Sequence, residues 1–142
     1  MAIDAACFAP GIAYGEDEMR EFLALPSAAT FVAEELLPAK DSRILAFLIS
    51  DKFRSRHTNA RTGRIITIDV HPQAQHRGLG SQLLTAAEED MKRAGCAQVV
   101  LEVAVDNATA LSFYKKHGYM VQRTLPRYYL DSIDGLQMGK PL

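Results

Sequence analysis

Two stretches of the 142-residue chain hold residue types whose spacing could do chemistry. The first is Gln75-His76-Arg77-Gly78-Leu79-Gly80-Ser81, between a β-branched run and a helical pattern. Gly78 and Gly80 allow backbone conformations that a Cβ forbids. A helix opening there presents uncapped N–H groups and the positive end of its dipole. With His76 and Arg77 alongside, the bend suits an anion, and a diphosphate is the natural guest. It is not the dinucleotide-binding G-x-G-x-x-G, since Leu83 stands at the third glycine position, nor a Walker loop, which needs Gly-Lys-Ser/Thr. The second is Glu102, inside the apolar run Ala97–Val105 (AQVVLEVAV). Alternation sets Val99, Leu101, Val103 and Val105 on one face of that strand and Val100, Glu102 and Ala104 on the other. A carboxylate at mid-strand is costly unless it is paired or faces water, so it requires an explanation.

The elements that must position these residues follow from periodicity. Glu16–Leu25 reads as a short amphipathic helix closed by Pro26, and residues 1–15 as an irregular lead-in. Strands are expected at 29–34, 44–50 and Gly63–Val70, with a turn at 37–42. A helix then starts near Gly80, with Leu83, Leu84, Ala87, Met91 and Ala94 on one face and Lys92, Arg93 and Gly95 as end signals. After the 97–105 strand, Asp106 or Asn107 caps a helix to about His117, stopped by Gly118. Strands at 119–124 and 135–140 finish the chain. This order predicts a single α/β domain, a mixed central sheet with flanking helices, and the 97–105 strand central and covered on both faces.

Bulk properties remove several classes. The formal net charge is −1, which gives no support to a nucleic-acid partner. The longest apolar run, Ile44–Ile49, is too short for a membrane span, and no basic residue precedes Arg20 as in a signal peptide. A cytoplasmic location is the default. Cys7 and Cys96 read as small buried apolar residues or idle thiols. The four histidines lack the spacing and carboxylates of a metal site, so no metal is expected. Lys52–Arg64 carries five basic residues and no acid, as a solvated hairpin or as a steering surface for phosphates or an acidic substrate.

Gln75-x-x-Gly78-x-Gly80, following Ile68-Asp69-Val70-His71-Pro72, resembles the acetyl-CoA signature of the GNAT N-acetyltransferases. Asn107, Ala110, Phe113, Tyr114, Gly118 and Tyr119 resemble that family's second signature, and Leu101-Glu102-Val103 is similar to the context of the catalytic glutamate in the ribosomal-protein-alanine (RimI-like) enzymes. The resemblance, from about Glu16 to Lys140, implies the GNAT fold with its amino-terminal strand missing or replaced irregularly by residues 2–8. It implies acetyl-CoA as cosubstrate, held by the strand end Ile68, Asp69 and Val70, by Gln75, His76, Arg77, Gly78, Leu79, Gly80 and Ser81, and by Asn107 and Tyr114. Glu102 becomes a general base and Tyr114 the acid that protonates the departing thiolate. Tyr128 and Tyr129 resemble the tyrosine pair beside the peptide groove of amino-terminal acetyltransferases. The implied acceptor is a peptide or protein amino terminus, presented to a monomer or homodimer. The alternatives are a small-molecule amine and a non-catalytic acetyl-CoA-binding domain.

Overall fold

The computed structural model describes residues 28–36, 42–129 and 132–142. The expectations for the lead-in, the helix at 16–25, the irregular first strand at 2–8 and Cys7 lie outside the described residues, as does the turn at 37–41. Six strands form one mixed sheet: β1 (Ala29–Leu36), β2 (Ser42–Arg54), β3 (Arg61–Val70), β4 (Gln98–Ala104), β5 (Met120–Tyr129) and β6 (Ile133–Pro141). Their spatial order is β1-β2-β3-β4-β6-β5. Every neighbouring pair is antiparallel except β3 and β4. Parallel strands need a crossover, supplied by helix α1 (Leu79–Arg93). Helix α2 (Ala108–Lys116) links β4 to β5.

The core explains the spacing of the apolar residues. Leu83, Leu84, Ala87 and Met91 of α1 and Tyr114 of α2 share one buried cluster with Ile65, Val99, Leu101, Val103 and Met138. Both described helices therefore cover the same face of the sheet. A glycine in β3 makes the close approach possible: a Cβ built on Gly63 would come within 2.2 Å of Met91 Sδ. The strand at 97–105 is interior, as its composition requires, but no described helix lies on its second face. That face carries Arg64, Val100 and Glu102.

A bulge sets the position of the site. Ile49 pairs with Thr67 and the next residue, Ser50, pairs with Ile65, so Ile66 is one residue too many on β3. Ile65 and, three residues later, Ile68 both meet the helix-side core, an offset that only a break in alternation allows. The β3–β4 ladder stops at the same level: Thr62–Ile65 pair with Gln98–Leu101, and the strands run on to Val70 and Ala104 past that last rung.

Element ends differ from expectation mainly on β5, which continues through Pro126 to Tyr129. It is an edge strand, where proline costs no central ladder bond. Its register with β6 shifts between Leu125 and Tyr129. Within that shift Arg127 has φ 52°, and its N–H donates to Asp134 Oδ1 at 2.9 Å. The irregularity lays Tyr128 across Gly135, where a Cβ would sit 3.0 Å from the tyrosine's own Cβ.

Candidate active site

The glycine loop leaves β3 by a tight turn and opens helix α1. A short 3-10 turn (Pro72–Ala74) leaves β3, and His71 Nδ1 accepts from Gln73 N at 3.2 Å. Gln75 Nε2 donates to Val70 O at 3.4 Å, tying the loop back to the strand end. His76 and Gly78 both take left-handed backbone, with φ of 67° and 76°, on either side of Arg77. Gly78 is the N-cap of α1, and no side chain caps that end. The first-turn amides of Leu79, Gly80 and Ser81 are thus backbone donors beside an exposed arginine. Gly80 serves packing instead, because its Cβ position lies 3.4 Å from the Phe113 ring and α2 can approach the start of α1 only if that space stays free.

His117 fixes that approach. Its Nδ1 lies 2.8 Å from Phe113 O and its Nε2 2.9 Å from Ser81 Oγ. A carbonyl only accepts, so in the neutral ring Nδ1 carries the proton and Nε2 accepts from the Ser81 hydroxyl. The one O–H of Ser81 is committed to α2, leaving its backbone amide to face an anion. Asn107 is likewise employed in structure, since its Oδ1 accepts from Ala110 N at 3.1 Å and caps α2. Ile68 and Val70 are half-buried against the helix-side core. Asp69 is buried and accepts from Thr67 Oγ1 at 3.2 Å, so only its backbone suits a ligand role.

Glu102 has the partner that its mid-strand position demands. Arg64 Nη2 donates to Oε1 at 2.7 Å and Arg64 Nε to Oε2 at 3.1 Å, a two-point pair across the last rungs of β3 and β4. The glutamate side chain is 18% exposed, so it is neither sealed in the core nor open to solvent. The explanation its mid-strand position requires is therefore pairing together with partial exposure. It lies on a groove of about 600 Å³, on the sheet face away from α1, whose lining runs from Phe53 and Arg56 of the β2–β3 hairpin to Arg123 and Gln137.

Tyr128 belongs to the same cluster. Burial pushes its phenol pKa up and the Glu102 charge adds to that, while the charge of Arg64 and its hydrogen bond to the phenol pull the other way. Tyr114 stands on the opposite side of the sheet, 7% exposed, between Phe113 and Tyr119 with ring centroids 5.3 and 5.5 Å away. The gap beyond the last β3–β4 rung lies between the faces that bear Glu102 and Tyr114, and the glycine loop lies just past the end of β3. The structure thus joins Glu102 and Tyr128, separates both from Tyr114 by the thickness of the sheet, and ends β5 on Tyr129.

Sequence reasoning missed Arg64, the Ile66 bulge and the Ser81–His117 contact. Arg64 could have been found. It directly precedes the apolar Ile65-Ile66 in a strand expected next to that of Glu102, and two opposite charges in adjacent interior strands are a natural pair.

An open notch between parallel strands thus has a glycine-opened helix end beside it and the Arg64–Glu102 pair at mid-sheet. The chain belongs to the acetyltransferase (GNAT) family, whose profile matches residues 2–119, and its cosubstrate is acetyl-CoA. It is 31% identical to an N-alpha-acetyltransferase of Sulfurisphaera tokodaii over 122 residues, which is 81% of this chain and 70% of that one. Other N-alpha-acetyltransferases that it matches are longer, the chain spanning 64% of one and 21% of another. Among solved structures it is similar to the NatC complex bound to Gag peptide and CoA, with a TM-score of 0.79, 25% identity, and coverage of 99% of this chain and 86% of that one. It shares its fold with the ribosomal-protein-S18-alanine N-acetyltransferase of Escherichia coli, with a TM-score of 0.75, 23% identity, and coverage of 99% and 83%. Among the described residues, no helix is long and apolar enough to cross a membrane.

Proposed function

We propose that this enzyme acetylates the α-amine of a peptide or protein, with Glu102 as general base and Tyr114 as general acid. The carrying observation is Glu102 itself: a half-buried carboxylate beside the notch, on a groove of about 600 Å³. Bound acetyl-CoA supplies an activated acyl carbon, and the chain's residues do the rest. The amides of Leu79, Gly80 and Ser81, with Arg77, suit the diphosphate, and the strand end Ile68–Val70 suits the extended arm.

An ammonium has no lone pair, so the acceptor must first lose a proton. For an α-amine, with a pKa of about 7.7 to 8.0, this costs about 1 kcal/mol at neutral pH; a lysine at about 10.4 needs roughly 4 to 5 kcal/mol. The Arg64 guanidinium disfavours a second positive charge beside it, which helps the amine to shed its proton. Glu102 takes that proton, directly or through one water, and the neutral nitrogen then bonds to the acyl carbon as the carbon–sulfur bond breaks. Tyr114 gives its hydroxyl proton to the leaving sulfur, and the second proton, shed by the acylated nitrogen, restores that hydroxyl through water. The thiol's ordinary pKa of about 8.5 makes this help modest.

The test is thiol release from acetyl-CoA with three amine classes: free α-amine peptides, internal-lysine peptides and polyamines. The expected result is turnover of α-amine peptides, lowered by about 10² or more in Glu102→Gln with calorimetric acetyl-CoA affinity unchanged. Turnover confined to polyamines would transfer the reaction to a small amine. Acetyl-CoA binding with no thiol release would make this a non-catalytic domain.

A further inference from the structure

The groove that holds Glu102 carries more positive charge than the acetyl transfer uses. Arg54, Arg56, Arg64 and Arg123 line it with His57, and Glu102 is its one carboxylate among the described residues. Glu102 is already engaged by Arg64. Among the described residues, no carboxylate lies within ion-pair distance of Arg54, Arg56 or Arg123. Lys52 and Lys140 differ: each has a carboxylate of α1, Asp90 at 2.6 Å and Glu88 at 2.9 Å. In a chain with a net charge of −1, four guanidinium groups in one concavity are a local concentration, not a general excess.

Neutral acceptors hold two of these arginines in place. Arg54 Nη1 donates to the backbone oxygen of Asn59 at 3.0 Å. Arg123 Nε donates to Gln137 Oε1 at 2.9 Å, and Gln137 is itself fixed by Gln122 Oε1 at 2.6 Å. Such contacts orient a guanidinium without neutralising it, and its remaining N–H groups keep the fork that matches a carboxylate. Val100, buried on the same face, gives the groove an apolar floor that sharpens the field above it. Coenzyme phosphates do not explain the cluster, because the groove and the N-terminus of α1 lie on opposite faces of the sheet.

We infer that the acceptor peptide carries carboxylate side chains close behind its α-amine, and that Arg123, Arg54 and Arg56 read them. This deepens the reading of the acceptor as a peptide α-amine and rests on it. Register gives the spacing. Arg123 pairs with Gln137, which pairs with Glu102, so Arg123 lies two strands, about 10 Å, from the base. Gln98 is four residues below Glu102 on β4 and pairs with Thr62, whose neighbour Arg61 pairs with Arg54. Arg54 is thus about five strand residues along and two strands across from the base, roughly 19 Å, toward the sheet edge opposite to Arg123. With the α-amine at Glu102, an extended peptide brings its third to fifth side chains into that range.

The experiment uses the full chain with acetyl-CoA and two α-amine peptides that differ only at positions three to five, aspartate and glutamate in one, asparagine and glutamine in the other. The acidic peptide is expected to have a kcat/KM at least tenfold higher, mainly through KM, with the gap narrowing as salt is raised and in Arg54→Gln/Arg56→Gln and Arg123→Gln. Equal kcat/KM for the two peptides overturns the inference. The same peptides with acetylated amino termini, which cannot react, are titrated by fluorescence anisotropy onto the protein loaded with coenzyme A. Tighter binding of the acidic form, weakened by the arginine substitutions, supports the groove even if only polyamines are turned over, in which case the peptide reading fails alone. Indistinguishable binding of the two acetylated peptides sinks the groove proposal whatever the enzyme acetylates.

Discussion

At the scale of single residues, Gly78 and Glu102 show two ways in which chemistry constrains a side chain. Gly78 takes φ 76° with open space around its Cβ position, so the requirement there is backbone conformation alone. Substituting alanine adds strain of about 1–2 kcal/mol in a left-handed position without any steric clash. Relaxation would turn the first amides of α1 away from their ligand. Gly78→Ala should therefore remain folded, with a small loss in Tm, while acetyl-CoA binds about tenfold more weakly by calorimetry, a change of about 1.4 kcal/mol. Unchanged affinity would remove the loop from the coenzyme site. Glu102 is different: its type was legible in the sequence because a carboxylate breaks an apolar strand, but its state was not. The Arg64 pair joins residues 38 apart in sequence, and only the register of two parallel strands brings them together.

At the scale of elements, the helices and strands were legible from spacing and capping, while their joints were not. Helix α1 starts one residue before the expected Gly80, and of the two caps offered for α2, Asp106 and Asn107, it is Asn107 that serves. The Ile66 bulge left no mark, since its neighbours Ile65 and Thr67 are ordinary strand residues. The continuation of β5 past Pro126 was hidden because proline normally argues against a strand, an argument that weakens at an edge. Packing between α1 and β3 gives a test at this scale. Gly63→Ala would push a methyl group into Met91, which is wholly buried and cannot swing into solvent. The expected loss is about 1–3 kcal/mol by chemical denaturation, and the loss in Gly63→Ala/Met91→Ala should be smaller than the sum of the two single losses. A neutral effect would mean that α1 rides less tightly on the sheet than its contacts show.

At the scale of the whole molecule, stability should depend on alkaline pH through the buried tyrosine that closes α2 against the sheet. Tyr119 donates to Glu88 Oε2 at 2.7 Å, and Lys140, 2.9 Å from the same carboxylate, completes the group. Burial first, then the hydrogen bond and the Glu88 charge, raise the Tyr119 pKa far above its ordinary value of 10. The folded state thus keeps a proton that the unfolded chain releases. Stability from this group is complete below pH 10 and declines as pH rises further. Tm should fall on that limb, and Tyr119→Phe, though less stable at neutral pH by about 1 kcal/mol for the lost bond, should fall less steeply. Parallel slopes in the two proteins would assign the alkaline loss to other groups.

The four rungs that join β3 to β4 also have a mechanical consequence. They divide the sheet into two blades, one of β1, β2 and β3 and the other of β4, β6 and β5, riveted at one end and braced from behind by α1 and α2. Such a joint is stiff at the rivet and compliant at the open end. On the proposed reading, an elongated donor seated in the open end would brace both margins against each other, and its reactive carbon would be held most firmly as an amine arrives from the opposite face.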